Sequence, residues 1–169
     1  MPIRPLHVLL PLLLCAGLAR ASEFDKAQKL WLAGQRPQAV ATIERALKQT
    51  PDELNLRFML GVMKMEMGEP ASALTIFTAL SQDFPDLADP LNNLAVIHAG
   101  QGDLDQARSE LEQALRLQPE HAQAQENLGD VLLRQAARAY QRAQAALASP
   151  SDALALKLRR TQALLQPAP

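Results

Sequence analysis

A spacing of 34 residues constrains this chain more than any other feature. Gly34, Gly68 and Gly102 stand that far apart, and so do Ala39, Ala73 and Ala107. Ile43, Phe77 and Leu111 repeat a large apolar side chain at the same step, followed by Ala46, Leu80 and Ala114. Pro51, Pro85 and Pro119 close each unit. In the other half of the unit Leu60, Leu94 and Leu128 recur, each followed by a small residue, Gly61, Ala95 or Gly129, with Ala27 one step earlier. A fixed period of this length marks stacked supersecondary units, each of which needs its neighbours to bury its apolar face.

Each slot has a physical reason. A small side chain lets two helix axes approach to the near end of the roughly 8–10 Å range, and the bulky residue fills the next groove. Glycine permits the positive φ of a reversal. Pro37 and Pro70 follow the glycines closely, where a new helix starts and a missing N–H costs little. The closing prolines end the second helix of each pair. The small residues are therefore expected to be contacts between helices.

In this pattern, over about residues 20–130, the chain resembles the tetratricopeptide repeat, an antiparallel helix pair. The resemblance implies an all-α, right-handed superhelical solenoid of antiparallel helix pairs. Its units are expected at about 20–53, 54–87 and 88–121, with a degenerate unit at 122–148. The first unit departs from the family pattern with Lys26 in place of a leucine and Glu23 in place of a large aromatic. His98 takes a slot usually given to tyrosine. After Gly129 the set Ala136, Tyr140 and Ala143 arrives five residues early, so the turn there is deleted or tightened. Two forms remain open for this unit, a helix pair or one long helix. Ser149 to Asp152 then punctuates, and Leu154, Leu158 and Leu165 mark a final helix within residues 149–169 that would cap the last apolar face.

The first 21 residues read as an export signal. Arg4 precedes an apolar run from Val8 to Leu18, and Ala19-Arg20-Ala21 offers a small-x-small cleavage site. Pro11 interrupts the run, which is shorter than the roughly 20 residues of a membrane span. An uncleaved anchor and a lipoprotein cysteine at Cys15 are the alternatives, the second opposed by Leu14 where a small residue is expected. Cleavage after Ala21 would remove Cys15 and leave a cysteine-free chain of 148 residues resting on packing alone. The location expected is the bacterial periplasm, or secretion.

Charge is unevenly distributed. Residues 22–130 hold nine basic and seventeen acidic side chains, a net of −8, whereas residues 131–169 carry +5. Arg134, Arg138 and Arg142 are four apart on one helix, followed by Lys157, Arg159 and Arg160. They are either a solvated face or a docking patch for an acidic partner or anionic headgroups. A mildly acidic chain with no recognition motif is not expected to bind nucleic acid.

Residues for chemistry are sparse. His98 has no histidine or cysteine at metal-ligand spacing and is expected to be hydrogen-bonded and partly buried. His121, just past Pro119, is expected to be an exposed turn residue. There is no serine elbow, phosphate loop or cysteine nucleophile. No enzyme activity, cofactor or metal is expected.

In the family the first helix of each pair lines a concave groove. Carrying that register over places Phe24, Gln28, Trp31, Asn55, Phe58, Val62, Met65, Asp89, Asn92, Val96 and Ala99 on the groove. Met59 and Met63 read as core. The family's clamp for a C-terminal carboxylate would need Lys, Asn, Asn, Lys and Arg where this chain has Phe24, Gln28, Met59, Asp89 and Asn93. None matches in that register, and one unit later only Asn93 does. The function expected is non-catalytic protein binding, by a monomer or weakly self-associating chain. The alternative is an envelope assembly factor that docks on a membrane through its basic C-terminal third.

Overall fold

The structure, a computed structural model, describes residues 23–166. The expected export signal and its cleavage site lie outside the described residues. All regular structure among them is helical: α1 (23–32), α2 (Arg36–Gln49), α3 (Leu54–Glu66), α4 (Pro70–Asp83), α5 (Ala88–Gln101), α6 (Leu104–Leu117), α7 (Ala122–Ala146) and α8 (Asp152–Leu164). They form an all-α solenoid of antiparallel helix pairs, closed by α8 as a distinct capping helix. None of these helices is long and apolar enough to cross a membrane.

The 34-residue period reappears in the backbone hydrogen bonds. Gly34, Gly68 and Gly102 take φ of 75°, 75° and 88°. The N–H of each donates three residues back, to Trp31, Met65 and Ala99, and the next N–H donates five residues back, to Leu30, Lys64 and His98. This is one left-handed helix stop used three times, pairing carbonyls that the helix end leaves open. The second helices end alike, with the N–H of Thr50, Phe84 and Gln118 donating to Ala46, Leu80 and Ala114. The prolines one residue later donate nothing and confirm the stop.

Two compact units can be described, one ending at Ile76 and one beginning at Phe77. In the first, Ala27 of α1, Ala39, Val40 and Ile43 of α2, and Leu56 and Met63 of α3 form the core. Lys64 holds α2 and the turn before α4 together, lying 3.7 Å from Glu44 and 3.1 Å from Glu69. In the second, Leu94, Ala95 and Ile97 of α5 are buried, as are Leu104, Ala107, Leu111 and Ala114 of α6 and Val131 and Ala137 of α7. The slots read as helix contacts, Ala39, Ala73 and Ala107, are fully buried.

α7 departs from the repeat. It is a single 25-residue helix, so the turn that the period would put 34 residues after Gly102 has been deleted and the one-helix form is adopted. The small slot at Gly129 is consequently exposed, with nothing within 4 Å of where its Cβ would be, because α7 runs on instead of turning back. Its packing role, expected from the period, is lost. α7 lies along α6, touches α5, and receives α8.

Polar bonds fix α5, α6 and α7 to one another. His98 Nδ1 and Glu110 Oε2 are 2.8 Å apart, and Gln106 donates to the other oxygen of that buried carboxylate. His121 corrects the expectation of exposure, since only 12% of its side chain is accessible. Its Nδ1 accepts the N–H of Ala124 and caps α7, and its Nε2 lies 3.0 Å from Asp89 Oδ1. An accepting Nδ1 requires the proton on Nε2, which then donates to Asp89.

Candidate functional site

α1 and α3 belong to the same compact unit and together line a cavity of about 340 Å³. Phe24, Gln28, Trp31 and Leu32 reach it from α1: Gln28 follows Phe24 by four residues, and Trp31 and Leu32 follow Gln28 by three and four, so all border one face. Asn55, Phe58, Met59, Val62, Met63 and Glu66 reach it from α3 in the same way. The walls are aromatic and aliphatic. Gln28, Asn55 and Glu66 are exposed polar side chains at its edge. An apolar hollow with a few polar groups is the ordinary form of a site that anchors a side chain and orients a backbone.

Six of the residues placed on the groove from sequence, Phe24, Gln28, Trp31, Asn55, Phe58 and Val62, line this one cavity. Met65 is half-buried and is not among its lining residues. Leu32, Met59, Met63 and Glu66 line it without having been placed there. Leu32 is 80% exposed, which its position just before the Gly34 turn explains. Met63 belongs to the core and shows one edge to the hollow.

Asn92 and Val96 lie in the second compact unit. Val96 and Ala99 border a second hollow of about 240 Å³ with Asn127, Asp130, Val131 and Arg134 of α7. Asn92 is 7% exposed and its Oδ1 accepts from Asn127 Nδ2 at 2.8 Å, so the oxygen meant to orient a ligand is engaged in joining α5 to α7. Asp89, likewise placed on the groove, is held by His121.

The basic residues also divide. Arg138 Nη1 donates to the carbonyl of Gly102 at 3.0 Å, placing a cation at the C-terminal end of α5 where the helix dipole favours one. Arg134 borders the second hollow. Arg142, Lys157, Arg159 and Arg160 are exposed. No sequence signal distinguished Arg138, because its partner is a backbone atom 36 residues away.

Among the described residues no group of three or more His, Cys, Asp or Glu could hold a metal ion.

Fold and hollow together define a helical-repeat protein. Tetratricopeptide-repeat models match residues 24–88 and 64–128, together more than half of the chain, and the chain belongs to the tetratricopeptide-repeat family. No curated protein matches it closely enough to be reported as a relative. Among solved structures, it is similar to the first tetratricopeptide domain of Spaghetti (RPAP3) bound to the HSP90 peptide SRMEEVD. The two are 14% identical with a TM-score of 0.64, over 69% of this chain and 93% of that one. PcrH from Pseudomonas aeruginosa is 21% identical with a TM-score of 0.62, over 68% of this chain and 92% of that one. MamA from Desulfovibrio magneticus RS-1 is 17% identical with a TM-score of 0.61, over 86% and 75%. At these identities the likeness is one of fold.

Proposed function

We propose that the chain is a non-catalytic scaffold that holds a segment of another protein in the α1–α3 cavity. The observation that carries this is the convergence of six groove residues, from two helices of one compact unit, on a single apolar hollow. Buried side chains such as Phe77 and Leu111 maintain the repeat, whereas Phe24, Trp31 and Phe58 keep partial exposure at the hollow, the place for aromatic anchors. The neighbouring Spaghetti domain is bound to an acidic peptide. Here the corresponding clamp residues are missing from the sequence and the only charged lining residue is Glu66, so a different ligand chemistry is implied. The place of action in this proposal is the periplasm, supported by the apolar run and the Ala19-Arg20-Ala21 site.

A photocrosslinking side chain at Asn55, an exposed edge position, tests the reading in the native envelope. Crosslinked partners should disappear when Gln28→Trp plugs the cavity, while the helical signal is unchanged. Partners that persist in the plugged protein would refute it. Docking through the basic third is the weaker reading, because Arg138 is engaged with Gly102.

A further inference from the structure

The α1–α3 cavity has a chemical preference that peptide binding alone does not require. Three of the chain's six aromatic residues, Phe24, Trp31 and Phe58, line it. Glu66 is the one charged lining residue, and it makes no ion pair among the described residues. Lys64, two residues before Glu66 in the chain, is already held by Glu44 and Glu69. Glu66 is also the last residue of α3, where the helix end adds partial negative charge. The rings themselves accept cations: the Arg36 guanidinium lies 5.1 Å from the Trp31 ring centroid. Residues 23–76, the cavity's own unit, carry seven basic and seven acidic side chains, so the pull on a positive ligand is local, from Glu66 and the rings.

We propose that the cavity selects a polypeptide segment in which an apolar anchor is accompanied by a lysine or arginine, the anchor entering the hollow and the cation meeting Glu66 and the aromatic rings. This rests on the peptide-binding reading and adds a charge requirement to it. The opposite charge, as in an acidic tail, would place a carboxylate against Glu66 with no lining cation to offset it.

The test is selection of a randomised 12-residue peptide library on the purified full-length chain, run beside Glu66→Lys and Gln28→Trp. Glu66 is exposed at a helix C-terminus, where lysine is favourable, and Gln28 is exposed on α1, so both variants keep the fold. Peptides lost on Gln28→Trp define cavity ligands. In these, lysine and arginine next to apolar residues should be enriched over aspartate and glutamate on the parent chain, and the bias should reverse on Glu66→Lys. A selected lysine peptide should bind Glu66→Gln roughly fivefold to tenfold more weakly by fluorescence anisotropy. Cavity ligands without charge bias, equally bound by Glu66→Lys, would overturn the charge requirement and leave peptide binding standing. A library from which nothing is lost on Gln28→Trp would overturn both.

Discussion

Gly102 shows how one position serves both the repeat and this chain in particular. Its positive φ is shared with Gly34 and Gly68, and the period made that legible. Only here does a neighbour crowd the missing side chain, with Arg138 Nη2 3.3 Å from where a Cβ would stand, while Gly68 has open space. Alanine at either position takes on the left-handed strain of about 1–2 kcal/mol. Gly102→Ala must also shift the Arg138 guanidinium and weaken its bond to the Gly102 carbonyl, a further loss of about 0.5–1 kcal/mol. Urea unfolding should rank Gly102→Ala as costlier than Gly68→Ala, and the difference should vanish in an Arg138→Ala background. Ala107 is the complementary case. It is fully buried in a slot chosen for smallness, so Ala107→Leu should overpack it and cost about 1–3 kcal/mol in the same measurement.

Among the elements, α7 carries most of what the period did not describe. Its start depends on His121, a residue of ordinary helix propensity standing where Asp, Asn or Ser would be the usual cap. It takes the role because Nδ1 can accept from Ala124 while Nε2 reaches Asp89 on α5. His121→Ala should therefore destabilise by about 1 kcal/mol through the lost cap. His121→Asn, which retains an accepting oxygen, should recover most of that loss in thermal unfolding. Farther along, Gln135 donates to Asp105 at 2.7 Å and Arg138 to Gly102, both tying α7 to elements some 30 residues earlier. Arg138→Glu would replace a cation at the end of α5 with a carboxylate, and circular dichroism should record a lower melting temperature. Arg142→Glu, at an exposed position, should leave it unchanged. The early arrival of Ala136, Tyr140 and Ala143 showed that a turn had changed. A continuous helix became evident only from the unbroken backbone bonding.

For the whole molecule, charge and the proposed export are most directly open to measurement. The −8 and +5 segments favour head-to-tail contact between copies at low ionic strength. At physiological salt, where the screening length is about 8 Å, sedimentation should show a monomer. A salt-resistant oligomer would point to apolar association instead. Mass spectrometry of the exported protein should find an N-terminus at Ser22, and Met1 would defeat the signal reading. The sequence by itself determined the helix pairs, their stops and the buried small slots, because a 34-residue period records local turn chemistry and nearest-neighbour packing at every step. The family register carried over to this sequence also placed Phe24, Gln28, Trp31, Asn55, Phe58 and Val62 on the groove. Tertiary structure alone decided that these six share a hollow with Glu66, that Asn92 is engaged by Asn127, and that Arg138 caps α5. Those outcomes depend on which atoms of distant helices come within hydrogen-bond reach, and a repeat pattern records spacing along the chain rather than distance across it.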